Sequence, residues 1–258
     1  MLRPFVFSSL YIAIGAVSLS LFYQFTANSI HVPRTLIIGL ATFMAYNIVQ
    51  IMPLFKRSPI SERGQWIFRH RKPLWTCIGI CLLLITVLSQ FLILEDIVNF
   101  AHLLLLSLLY EGTVTKKGLR SIPFLKPFLI SYVWAMSCAF PVFGFYANLA
   151  TLECFFFIFS LCLLFDLRDI QDDLRQGIKT FATSYGTGVT KVLSTSSFLI
   201  ALLLVLSFSS VSYILLGVFS SAGILAIYKS AKNTSDLYYL YVVDGLILTK
   251  LFLLLEVF

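Results

Sequence analysis

The sequence predicts an all-α integral membrane protein, a bundle of about nine transmembrane helices forming a single domain over residues 1–258. Three observations carry this reading. Apolar residues make up 59% of the 258 positions and charged residues 12%, roughly half the charged share of a soluble globular domain. The apolar residues gather in blocks of about twenty with almost no charge inside, long enough to cross ~30 Å of hydrocarbon as a helix. The basic residues sit in alternate connections between those blocks.

The first block, Phe5 to Phe25, follows one arginine and lacks a small-residue cleavage site, so it reads as a retained helix rather than a signal peptide. The others are Thr35 to Pro53, Leu74 to Phe91, Glu95 to Tyr110, Pro127 to Tyr146, Leu149 to Phe165, Val189 to Phe208, Val211 to Tyr228 and Leu237 to Phe258. Lys56, Arg57, Arg63, Arg69, Arg71 and Lys72 lie between the second and third blocks. Lys116, Lys117, Arg120 and Lys126 lie between the fourth and fifth. Arg168, Arg175 and Lys179 follow the sixth, and Lys229 and Lys232 the eighth. The positive-inside rule then puts these loops and the N-terminus in the cytoplasm and the C-terminus outside, with Arg34 and Lys250 as exceptions. Short polar connections suit a bacterial cytoplasmic membrane. Orientation and attraction to membrane lipid account for the net charge of +7 without any nucleic acid.

Cys77, Cys81, Cys138, Cys154 and Cys162 all lie inside apolar blocks and read as small packing residues. Cys77 and Cys81 share a helix face, yet no further soft ligand is placed to complete a metal site. His31, His70 and His102 are scattered and form no constellation.

Four of the twelve acidic residues fall within eight positions, as Asp166, Asp169, Asp172 and Asp173 of FDLRDIQDD. On a continued helix, i, i+3 and i+7 share one stripe, so Asp166, Asp169 and Asp173 face one way and Asp172 another. Converging carboxylates at a membrane surface repel one another and imply a cation to offset them. Magnesium suits such a set, because it takes oxygen ligands and shares them with substrate phosphates. The plainer alternative is a solvated face paired with Arg168 and Arg175.

The stripe continues as DLRDIQDDLRQGIKTFATSYGTG, and here the chain resembles the UbiA superfamily of membrane-embedded prenyltransferases. The second aspartate-rich motif of that family reads roughly D-x-x-D-x-x-x-D-r-x-x-G-x-x-T and ends in a Gly. Asp166, Asp169, Asp173, Gly177, Thr180 and Gly186 match in register, with Leu174-Arg175 shifted by one from the usual pair. The stretch Leu119 to Ala135, and Tyr110 followed by Lys116 and Lys117, also look like the family. The resemblance implies a bundle around a central cavity and a polyprenyl diphosphate donor with its tail in an apolar tunnel. It also implies a lipophilic or aromatic acceptor. Asp166, Asp169 and Asp173 would be the catalytic, Mg2+-holding set, and Asn47, Tyr110, Lys116, Lys117 and Lys179 would bind substrate.

The chain departs from the family at the first motif, N-D-x-x-D-x-x-x-D, which should close the second helix. Asn47 is present, but the carboxylate positions hold Ile48, Ile51 and Phe55. Asn47 and Gln50 could face the cavity together, and Glu62 is the nearby acid that could fold back into it. Two neutral amides do not replace carboxylates toward a hard cation. Two readings follow: a prenyltransferase, or a paralogue that keeps the fold and binds a lipid or membrane partner. A transporter reading rests on Asp96, Glu111, Glu153 and Asp244, ionisable groups within or near the spans.

Overall fold

The protein is described by a computed structural model over residues 3–55, 62–110, 118–143, 148–231 and 234–254. Among these residues all regular structure is helical. In chain order the helices are α1 (Arg3–Phe7), α2 (Leu10–Thr26), α3 (Val32–Ile51), α4 (Glu62–Arg69) and α5 (Arg71–Leu88). They continue as α6 (Leu94–Tyr110), α7 (Leu125–Cys138), α8 (Phe140–Phe143), α9 (Asn148–Gln176), α10 (Phe181–Phe208) and α11 (Tyr213–Lys229). Last come α12 (Asp236–Tyr238), a π-helical stretch Tyr239–Val243, and α13 (Asp244–Thr249).

Each predicted apolar block carries helix. Among the described residues five stretches are long and apolar enough to cross a membrane: Val32–Ile51, Arg71–Phe91, Leu149–Gln176, Phe181–Phe208 and Asp236–Leu254. α2 and α11 are shorter apolar helices. The outer faces of the helices expose Leu83, Leu94, Leu203 and Ile214. Exposing a leucine or isoleucine to water rather than burying it costs about 1.5–3 kcal/mol, so these faces fit lipid as their solvent.

α9 is the central helix, packing along α10 and α7. Its Phe157, Ile158, Leu161 and Leu164 join Leu19 and Phe22 of α2, Trp134 of α7, Phe198 of α10 and Leu246 of α13 in the main apolar core. At ~1.5 Å per residue, its 29 residues span about 43 Å. That exceeds the ~30 Å hydrocarbon layer, so its aspartate-bearing end reaches the membrane surface.

The two exceptions to the loop-charge pattern are buried ion pairs. Arg34 at the start of α3 donates to Asp96 Oδ2 at 2.8 and 3.2 Å. Lys250 Nζ lies 2.7 and 2.6 Å from the Glu153 carboxylate oxygens and 2.9 Å from the Tyr23 hydroxyl. Both lysine and glutamate are almost wholly buried. A lone charge there would be costly, and the partner offsets it. Two of the acids behind the transporter reading are thus matched within the bundle.

Two backbone devices set the end of α9. Gly177 adopts φ +69°. Its N–H donates to Leu174 O at 3.2 Å and the next N–H, from Ile178, to Asp173 O at 2.8 Å. This left-handed closure satisfies the final carbonyls of α9 and buries Ile178. Thr180 then starts α10 through a reciprocal capping box with Thr183. The start at Phe181 precedes the expected block at Val189, and Gly186 therefore lies inside α10 as a kink, with φ 78° and ψ 179°.

Candidate functional site

The aspartates of α9 meet a lysine of α7. Pro127 tolerates the first turn of α7, where no intrahelical partner for its missing N–H is needed. The preceding Phe124 takes φ +62°, a conformation that costs a bulky residue roughly 1–2 kcal/mol. Its N–H donates to Lys179 O at 2.9 Å, and its ring stacks on Tyr185 and packs against Phe181. The α9–α10 turn and the start of α7 are thereby joined, and Lys126 is delivered to the acidic face of α9.

Lys126 Nζ lies 2.9 Å from Asp166 Oδ1, 3.0 Å from Asp173 Oδ2 and 3.7 Å from Asp169 Oδ2. Asp166 and Asp173 are almost wholly buried, while Asp169 is partly exposed. Arg168 clasps Asp169 with two hydrogen bonds, at 2.7 and 3.2 Å, and lies 4.8 Å over the Phe165 ring. Asp166 Oδ2 is buried without a hydrogen-bond partner. Asp172 points outward and pairs with Arg175 at 3.3 Å.

A cavity of about 330 Å³ opens beside this cluster. One end carries Arg63, Arg120, Lys126 and Arg168 with Asp166, Asp169 and Asp244. The remainder is largely apolar, including Ile130, Val133, Ile158, Leu161 and Ile247, with Tyr46, Tyr110 and Trp134 among its aromatic groups. A concave, mostly apolar space with a few convergent polar groups is the usual form of a ligand site. Burial and the neighbouring Arg168 push the Arg63 guanidinium down to about 10, against the pull of Asp244. It stays charged at neutral pH. Asp244 follows the π-helical stretch directly, a distortion frequent at functional positions.

The carboxylates do not form a magnesium cage. The centre of the trio is filled by the Lys126 ammonium, and Arg168 occupies both oxygens of Asp169. Among the described residues no group of three or more His, Cys, Asp or Glu is arranged to hold a metal ion. Magnesium demands near-octahedral oxygen geometry, and one unpartnered Asp166 oxygen does not supply it.

No protein-family model matches the sequence, and no curated protein matches it. A solved structure does match, that of a digeranylgeranylglyceryl phosphate synthase studied in membranes. It is 16% identical with a TM-score of 0.54, over 99% of this chain and 100% of that one. This chain shares the fold of that synthase, a helical bundle of the kind the resemblance in the sequence implies.

Within the bundle, the residues singled out in the sequence are distributed unevenly. Asp166 and Asp169 line the cavity, and Asp173 lies behind Lys126. Tyr110 also lines it, 5.9 Å beneath the Arg120 guanidinium. Asn47 does not line it: its Nδ2 donates at 2.8 Å to Ser8 O and at 2.8 Å to Phe43 O, tying α3 to the end of α1. Gln50, one turn on, takes the cavity position instead. Lys179 is exposed and contributes its carbonyl to the Phe124 contact. Lys116 and Lys117 lie outside the described residues. Glu62 does not fold back into the site; it pairs with Arg3 at the surface.

In the sequence the described cavity cations, Arg63, Arg120, Lys126 and Arg168, read as loop charges or as partners of the acidic run. Lys126 carried a usable signal, since it interrupts the apolar stretch IPFLKPFLI, where an isolated basic residue needs a buried partner. Trp134, which reads as a packing or belt residue, both packs in the core and lines the cavity. Arg63 carried no comparable signal, because it sits among other loop charges.

Proposed function

We propose that this chain binds a polyprenyl diphosphate in the cavity and transfers its isoprenoid chain to a lipophilic or aromatic acceptor. A single observation carries the reading: one cavity of a bundle with the synthase's fold joins a cationic end to an apolar wall. Guanidinium groups and a lysine ammonium suit phosphate oxygens, and the apolar wall suits the hydrocarbon. The site lies where α9 reaches the membrane surface. The basic connections sharing that end favour a cytoplasmic face, as in a bacterial cytoplasmic membrane.

The chemistry follows from the groups present. The cations draw charge onto the diphosphate as its bond to the allylic carbon breaks. The allylic cation then lies in an enclosed apolar space with Tyr46, Tyr110 and Trp134 in its wall, and aromatic faces favour a cation. The acceptor supplies the electron pair for the new bond and loses a proton to a carboxylate of the cavity lining, Asp166 or Asp169. In the family this resembles, magnesium supplies Lewis-acid charge at the leaving group. The residues here do not fit that ion, and no step above passes through it.

A second reading is binding without turnover. It is favoured by the first-motif positions, where Ile48, Ile51 and Phe55 stand in place of carboxylates and Asn47 serves the backbone. The test is incubation of detergent-purified protein with labelled geranylgeranyl diphosphate and a panel of aromatic and lipid alcohols. Transfer is expected, with one diphosphate released per chain transferred. Binding with no release in any mixture would replace the first reading with the second.

A further inference from the structure

A magnesium ion and the Lys126 ammonium would compete for one set of oxygens. Magnesium sits ~2.0–2.1 Å from its ligands, and Nζ already lies 2.9 and 3.0 Å from Asp166 and Asp173. Both cannot occupy the space between the carboxylates unless the lysine withdraws. The chain two residues before it is held by the Phe124 N–H to Lys179 O bond, and the Lys126 side chain is nine-tenths buried. Repulsion between two cations at that spacing would also be strong in a poorly solvated site.

The sign of the wall agrees. Among the described residues four cations line the cavity with three carboxylates, and Asp173 behind Lys126 brings the two into balance. A wall with no net negative charge does not draw in a divalent cation. Gln50 stands on the α3 side where the missing first motif would place acids, and Arg63 lines the same space. Arg168 gives its Nε–H and one Nη2 hydrogen to Asp169 and keeps its Nη1 hydrogens beyond them. Such hydrogens match phosphate oxygens.

We infer that the chain holds its diphosphate with resident cations and without a divalent metal, Lys126 standing where magnesium would and Arg63, Arg120 and Arg168 supplying further positive charge beside the phosphates. The inference rests on the polyprenyl-diphosphate reading of this cavity. It makes the lost first motif and the buried lysine parts of one arrangement, since internal charge removes the need for a second metal-binding wall. It also separates affinity from magnesium concentration.

The test is binding of geranylgeranyl S-thiolodiphosphate, a non-hydrolysable donor analogue, to the full chain purified in detergent. It is measured with excess EDTA and again with millimolar magnesium. The Kd is expected to differ by less than about twofold between the two. Binding about tenfold or more weaker in EDTA and restored by magnesium overturns the inference and leaves the polyprenyl-diphosphate reading standing. Failure to bind under either condition overturns that reading and the inference with it. Lys126→Ala, used where it elutes as a single folded species, is expected to lose about ten- to a hundredfold in EDTA. Magnesium should then restore part of the loss, because the freed carboxylates have room for the ion. A Lys126→Ala protein that binds like the parent in EDTA also overturns the inference. Arg168→Gln gives a second check that leaves Lys126 in place: about tenfold weaker binding is expected with and without magnesium alike, and no weakening counts against the inference.

Discussion

Lys126 of α7 and Asp166 of α9 meet at 2.9 Å with both side chains withdrawn from solvent, and this contact ties the start of α7 to the central helix as well as shaping the cavity. Replacing Lys126 by Met leaves three carboxylates facing one another. A loss of about 3–5 kcal/mol is expected, the usual cost of stranding buried charge. Thermal unfolding in detergent measures it, and the double variant Lys126→Met with Asp166→Asn should recover a good part. An unchanged Tm in the single variant would mean that the pair is not structural.

The Glu153–Lys250 pair makes a parallel case deeper in the bundle. Lys250→Met is expected to cost about 3–5 kcal/mol, whereas Lys250→Met combined with Glu153→Gln should cost markedly less, because two neutral groups strand no charge. Tyr23→Phe removes two hydrogen bonds of the same network, the one its hydroxyl donates to Glu153 and the one it accepts from Lys250, and should cost about 2–3 kcal/mol. Equal losses in the single and double variants would argue against the pairing.

Asp244 shares the cationic end of the cavity with Arg63 and Arg168, whose charges act on it. An incoming phosphate would compete with its carboxylate for those guanidinium groups. Asp244→Asn is therefore expected to tighten binding of the diphosphate analogue by roughly three- to tenfold, about 0.7–1.4 kcal/mol. Weaker binding would show that Asp244 positions the ligand instead of opposing it.

Two glycines should fail for different reasons. Gly177 holds φ +69° with open space around it, so Gly177→Ala costs the left-handed backbone penalty, about 1–2 kcal/mol, and Gly177→Asn less. Gly223 lies against the Phe198 ring, which a methyl group there would overlap. Gly223→Ala should cost about 1–3 kcal/mol by overpacking, and Asn there should be worse than Ala. Melting curves of the four variants decide the matter: the order of Ala and Asn should reverse between the two sites.

How much of this was legible in the sequence depends on the kind of signal. The helices were, because hydropathy and length are local properties of the chain. The shared face of Asp166, Asp169 and Asp173 was legible from helical periodicity, and Asp172 points away as that periodicity requires. The pairing of Lys126 with them was not, since it lies some forty residues away: its place in an apolar stretch signals a buried partner without saying which one. Asn47 matched a motif, yet packing turned its amide to the backbone of Ser8. The left-handed Phe124 and the π-helical turn before Asp244 also went unsignalled, because tertiary contacts set both. Arg34 and Lys250 broke the loop-charge rule for a reason that pairing alone reveals.

Those two internal pairs have an electrical consequence. A transmembrane potential does work of ~2.3 kcal/mol per elementary charge per 100 mV, and a lone Arg34 or Lys250 would feel it. Each is locked to a carboxylate of opposite sign, so the work on one partner cancels that on the other and a small dipole remains. At these two positions the bundle keeps the same conformational balance in an energised membrane and in a discharged one.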